Sequence, residues 1–166
     1  GWKTAFASPE NQPIYLHAHK LMRKTWGDMP SPGDIGGSKW KEVSQHVNDN
    51  YYFIDMDKYS LENVLRKGAE LVKRKGIKCL VIDPYNKIRD VNAVSDDVNR
   101  YTMDYLSKIE QFCKRYDVLT FIVAHPTKMQ RDQNGKMVEP NMYNIKGGGE
   151  WYDASYHGLL VHRDYE

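Results

Sequence analysis

Three features of the sequence predict an α/β fold built on one mostly parallel sheet with helices on both faces. Short runs from Thr4 to Pro9, Lys78 to Ile82 and Leu119 to Ala124 have the length of buried strands. Stretches whose apolar residues recur at helical spacing separate them. Each run ends on a polar side chain, Glu10, Asp83 or His125. Strands of open α/β sheets deliver side chains in this way to the carboxyl edge, where ligands bind.

Residues 3 to 9 are expected to form the first strand. A chain that opens on Gly1-Trp2-Lys3 and runs straight into its sheet is expected to be a piece of something longer. Asn11 to Trp26 follow as a helix that tolerates Pro13 in its first turn, with Ile14, Leu16, Ala18, Leu21 and Met22 on one face. His17 and His19 interleave with that face and read as surface or hydrogen-bonded residues. Gly27 to Gly37 is a turn-rich connector, and a short helix near Ser38 to Val47 follows, with Ser38 as its N-cap. Tyr51 to Met56 is rich in aromatic and β-branched residues and predicts a strand.

Ser60 caps the next helix, whose Leu61, Val64, Leu65, Gly68, Leu71 and Val72 face the core. Lys73, Arg74 and Lys75 complement its dipole, and Gly76 ends it. The central strand, 78 to 83, closes at Pro84, and residues 85 to 94 are polar and irregular. Ser95-Asp96-Asp97 starts a longer helix with Val98, Tyr101, Tyr105, Ile109, Phe112, Cys113 and Tyr116 at 3–4 spacing. A strand at 119 to 124 precedes a long loop from Pro126 to Glu150, of the length that serves function. Gly158 to His162 is expected as a last strand ending on Arg163. The order β-α-α-β-α-β-α-β-loop-β requires right-handed crossovers.

The 166 residues fit a single domain, 1–166, long enough to bury a substantial core. A formal net charge of +2 excludes a partner held by bulk charge, so any nucleic-acid contact must come from local clusters of Lys and Arg. Cys79 and Cys113 fall on a strand and a helix face, as small core residues of a reducing compartment. No apolar run reaches the roughly 18 residues of a membrane span. A soluble, intracellular protein is expected.

An aspartate ending a buried strand suits Mg²⁺, a hard ion that takes oxygen ligands. A glutamate on the neighbouring rim suits activation of an attacking water, and a histidine on a third strand suits sensing of a phosphate. Polar caps on exposed backbone would explain the same residues without chemistry. Joint ligation of a transition metal by Glu10, Asp83 and His125 is a rival, but no tight ligand pair such as H-E-x-x-H accompanies it. The phosphate-cradling pattern G-x-x-x-x-G-K-[ST] is absent. Gly33 to Lys39 and Gly147 to Gly149 are glycine-rich in the wrong order or context.

Phe6-Ala7-Ser8-Pro9-Glu10-Asn11, Val81-Ile82-Asp83-Pro84-Tyr85-Asn86, Val123-Ala124-His125-Pro126-Thr127-Lys128, Ile145-Lys146-Gly147-Gly148-Gly149-Glu150-Trp151 and Val161-His162-Arg163-Asp164 follow one another along the chain. In that order they resemble the RecA-fold motor domain of DnaB-type replicative helicases, in the primase-helicase branch typified by bacteriophage proteins and Twinkle. The resemblance covers nearly the whole chain and implies a RecA-like sheet that is incomplete at both ends, without the Walker A segment and the arginine-finger strand. It implies that Glu10 activates water, Asp83 is the Walker B metal ligand and His125 the phosphate sensor, with Lys146 and Arg163 at the nucleotide. Single-stranded DNA would meet Lys87, Arg89, Lys128, Arg131 and Lys136. ATP and Mg²⁺, identical subunits in a hexameric ring, and a primase domain or partner follow for the parent, in the cytoplasm of a bacterium or its phage more than in mitochondria. By the same resemblance the 166 residues alone would hydrolyse no ATP. Recombinases and circadian-clock ATPases share the fold, but His125-Pro126 and the glycine cluster pull toward helicases. A non-catalytic RecA-like adaptor that binds DNA or another subunit is the alternative of a different class.

Overall fold

A computed structural model describes residues 1–27, 31–88, 97–127 and 138–161. Among them, four strands form one sheet: β1 (Thr4–Ala7), β2 (Tyr51–Phe53), β3 (Cys79–Ile82) and β4 (Leu119–Ile122). The spatial order is β2-β1-β3-β4 and every pairing is parallel. The helices are α1 (Ile14–Trp26), α2 (Ser38–Asn50), α3 (Leu61–Lys75), α4 (Val98–Tyr116) and α5 (Gly148–Ala154).

The period-2 geometry of the strands divides the core. Ala5, Ala7, Leu80 and Ile82 are fully buried and join Leu61 and Val64 of α3 and Ile109 and Phe112 of α4 in the main cluster. Phe6 points to the other face, where it packs on the rings of His17, Phe53 and Tyr51 at 4.9, 5.9 and 6.1 Å. There α1 and α2 build a smaller cluster around Met22, Val43 and Val47, flanked by Trp26 and Trp40. The sheet is therefore covered on both faces beside β1. At β4 one face is open, and Leu119, Phe121 and Val123 are each about two-fifths exposed.

Local chemistry sets several boundaries. Pro13 is the N-cap of α1, so that helix starts three residues later than its periodicity suggests. Gly37, not Ser38, caps α2, and α2 runs on to Asn50. Ser60 accepts a hydrogen bond from the Asn63 amide and Gly76 ends α3, as expected. Asp97 accepts from the amides of Asn99 and Arg100 at the start of α4.

Two elements depart from the sequence reading. Residues 158–161 form no strand, and Leu159 and Val161 are 84% and 95% exposed. An apolar run becomes a strand only when its backbone finds a partner, which residue pattern does not report. Conversely, α5 arises inside a stretch read as loop up to Glu150. Buried Trp151 holds it, its ring set edge-on to Tyr85 at 4.9 Å and its Nε1 donating to the Lys146 carbonyl at 3.2 Å.

Candidate nucleotide-binding edge

Parallel register brings the three strand-ending groups to one edge. Ala7 lies beside Ile82 and Ile82 beside Ile122, so β1, β3 and β4 finish level with one another. The ladder continues one step beyond the strands: the Asp83 amide donates to the Ala7 carbonyl at 3.0 Å, and the Val123 amide to the Ile82 carbonyl at 2.9 Å. Asp83 follows β3 directly, while Glu10 and His125 each lie three residues past their strands. Asp83 is half-buried and both Glu10 and His125 are exposed.

The contacts at this rim involve residues that the motifs did not single out. Asn11 donates from Nδ2 to Oδ2 of Asp83 at 3.0 Å, and its Oδ1 accepts from Nζ of Lys20 at 3.2 Å. An amide so held fixes the carboxylate's orientation from the neighbouring strand. Asn11 was visible as the residue after Glu10, but no spacing rule marks Lys20, which reaches the rim from the second turn of α1. His17 lies close by, and its imidazole is held below the ordinary value first by burial and then by the Lys20 charge, with Asp83 opposing. The hydroxyl of Ser8, buried beside this edge, has no hydrogen-bond partner among the described residues.

Lys87 belongs to the turn of 3₁₀ helix Tyr85–Lys87, and its Nζ stands 4.0 Å from Oε1 of Glu10. The structure thus joins a residue expected at DNA to one expected at water. On the other side of the edge, Pro126 bridges Ile145 in antiparallel fashion and the Thr127 amide donates to the Asn144 carbonyl at 2.7 Å. This pairing sets Lys146 opposite His125. Arg89, Lys128, Arg131, Lys136 and Arg163 lie outside the described residues.

The glycines after Lys146 have a steric reason. Gly147 adopts φ +83°, and a Cβ there would stand 2.6 Å from Oγ1 of Thr102 on α4. A Cβ on Gly148 would meet the Tyr143 carbonyl, whereas one on Gly149 would meet nothing within 4 Å. Two of the three positions thus need glycine to let the chain turn into α5.

As a ligand surface the rim is open. Two hollows are lined by Leu65, Phe112 and Arg115 and by Trp2, Lys78 and Leu119, and neither includes Glu10, Asp83 or His125. Among the described residues no three His, Cys, Asp or Glu side chains gather as a metal cluster, so the rival three-ligand metal site does not form. A single amide-held carboxylate fits Mg²⁺, which takes one or two protein carboxylates and completes its shell with phosphate oxygens and water. The unpartnered Ser8 hydroxyl is a further polar atom at that edge.

Comparison with known proteins bears on the family and the fold. The chain is 32% identical over 174 aligned residues to the Twinkle homolog protein, chloroplastic/mitochondrial, of Arabidopsis thaliana, an alignment that takes in 99% of the chain. The chain is a RecA-fold domain of the DnaB-type helicase family, in its Twinkle-like branch. It spans about a quarter of that relative's length, 24%. No family model matches it. Among solved structures, an isolated ATPase domain superposes with a TM-score of 0.65 at 13% identity, over 93% of this chain and 57% of that one. A DnaB-like replicative helicase, solved for its interactions with primase, superposes with a TM-score of 0.69 at 12% identity, over 93% and 39%. Both likenesses confirm the RecA-like fold. Among the described residues of this Twinkle-like domain, no helix is long and apolar enough to cross a membrane.

Proposed function

We propose that this Twinkle-like domain is part of the ATP-hydrolysing motor of a replicative DNA helicase that moves along single-stranded DNA as a hexameric ring. The observation that carries the reading is the shared edge: an acid after β1, an acid after β3 and an imidazole after β4, on adjacent parallel strands. Glu10 accepts the proton of the attacking water as the water oxygen bonds to the γ-phosphorus of ATP and the β–γ bridging oxygen leaves with its electron pair on ADP. Asp83, oriented by Asn11, is the residue to hold Mg²⁺, which when bound neutralises charge on the β- and γ-phosphates. His125 and Lys146 face the same phosphates from the far side of the edge.

The 166 residues contain no G-x-x-x-x-G-K-[ST] cradle, so the remaining phosphate contacts come from other parts of the assembled motor, and the isolated domain hydrolyses no ATP. Arg163 serves the nucleotide at the subunit boundary. Lys87, Arg89, Lys128, Arg131 and Lys136 track the backbone of the single strand by charge, without reading sequence. A primase, fused or bound, is the expected neighbour in replication.

The test uses the reading frame extended on both sides of these residues to the length of the plant relative. ATP hydrolysis stimulated by single-stranded DNA is expected, and Glu10→Gln and Asp83→Asn should each lower it by about 100-fold or more. Full activity in both variants would overturn the roles. Strand binding without hydrolysis in the extended chain would favour the adaptor.

A further inference from the structure

The 4.0 Å approach of Lys87 to Glu10 links two residues with separate roles, and we infer that Lys87 is a coupling residue shared between Glu10 and a phosphate of the bound single strand. This inference rests on the motor reading above and adds to it the route by which strand binding reaches the water-activating acid.

The backbone around Lys87 is pinned while its ammonium is not. Tyr85 is buried, its amide donates to the Val123 carbonyl at 2.8 Å, and its ring sits edge-on to Tyr105 and Trp151, each at 4.9 Å. Ile88 is fully buried on the other side, and the Lys87 amide donates to the Pro84 carbonyl at 3.2 Å. Between these anchors the Lys87 side chain is 56% exposed and that of Glu10 46% exposed. A long, solvated ammonium on a fixed root can exchange one anionic partner for another with little backbone movement.

With Lys87 on Glu10, the carboxylate is occupied by a cation and is not free to take up the water. With Lys87 on a DNA phosphate, the carboxylate is released to the water. The two partners compete for one cation, so their effects are reciprocal: whatever the ion pair contributes is subtracted from strand affinity, and removing the acid returns it. Half-exposed pairs of this kind change an equilibrium by about two- to five-fold.

The experiment is a double-mutant cycle in the extended chain, reading the affinity for a fluorescent oligothymidylate at fixed salt, alongside ATP turnover with and without the strand. Glu10→Gln should tighten strand binding about two- to five-fold in the parent background and not at all in Lys87→Ala. Lys87→Ala should weaken binding, lower the salt slope by about 0.7, and raise strand-free turnover by a similar two- to five-fold while reducing stimulation. If Glu10→Gln leaves strand affinity unchanged while Lys87→Ala lowers it, Lys87 is a phosphate contact alone and the coupling is wrong. If Lys87→Ala alters neither binding nor turnover, the lysine is surface charge, which also overturns it. An extended chain that neither binds the strand nor hydrolyses ATP would instead fail the motor reading itself.

Discussion

Replacing Gly147, Gly148 and Gly149 by alanine, one at a time, should give three different outcomes from three chemically identical changes. At Gly147 the backbone sits at φ +83°, where an L side chain costs about 1–2 kcal/mol. The new methyl also approaches Oγ1 of fully buried Thr102 to 2.6 Å, which adds about 1–3 kcal/mol of overpacking. The sum is about 2–5 kcal/mol. At Gly148 the obstacle is the Tyr143 carbonyl, a backbone atom that cannot turn aside, so the loss should be at least as large. At Gly149 nothing lies within 4 Å and the residue is helical, so alanine should stabilise by up to about 1 kcal/mol. Buried Trp151 ties α5 to the main cluster, so these local changes register in global unfolding. Urea denaturation followed by circular dichroism measures all three. Combining Gly147→Ala with Thr102→Ala should return a coupling of about 1–3 kcal/mol, the steric share alone. Equal losses at all three positions, or a harmless Gly147→Ala, would refute this account of the turn.

At the rim, Asn11→Ala removes the 3.0 Å hydrogen bond to half-buried Asp83 and should cost about 1–2 kcal/mol, lowering the thermal midpoint by roughly 2–6 °C. Asn11→Asp should be worse near neutral pH, because it sets a second carboxylate against the first. An aspartate variant as stable as the parent would show that the contact does not orient Asp83. For His17, burial and Lys20 hold the folded imidazole below its ordinary 6.5, so between that value and the folded one the unfolded chain binds more protons. Its contribution is complete above 6.5 and is lost as pH falls through the folded value. Unfolding of the parent and of His17→Gln, compared from about pH 7.5 to 5.5, should show the steeper loss in the parent, and parallel curves would contradict the burial effect.

Helix ends were legible wherever the capping group lies within one turn of the backbone it serves. Ser60 and Gly76 mark the ends of α3 for that reason, and Asp97 does the same at the start of α4. Pro13 moved the start of α1 by three residues and Gly37 took the N-cap of α2 from Ser38; neither caps through a side-chain hydrogen bond, so no local bond marks either start. The edge carrying Glu10, Asp83 and His125 could be proposed because a strand's end is a local event and parallel alternation is a regular pattern. Asn11 and Lys20 could not be assigned to Asp83, from which they are separated by many residues in the chain and by a single hydrogen bond or two in space.

By itself the sequence determined the class of fold and the succession of strands and helices as far as β4, both of which depend on periodicity and on neighbours along the chain. Only the tertiary structure decided that residues 158–161 form no strand, that a glycine-rich stretch closes into α5 on Trp151, and that Lys87 stands against Glu10. Each of those outcomes depends on which backbone or side chain arrives from a distant segment. Pairing, burial and charge are relations between such segments, and no window along one chain contains both partners.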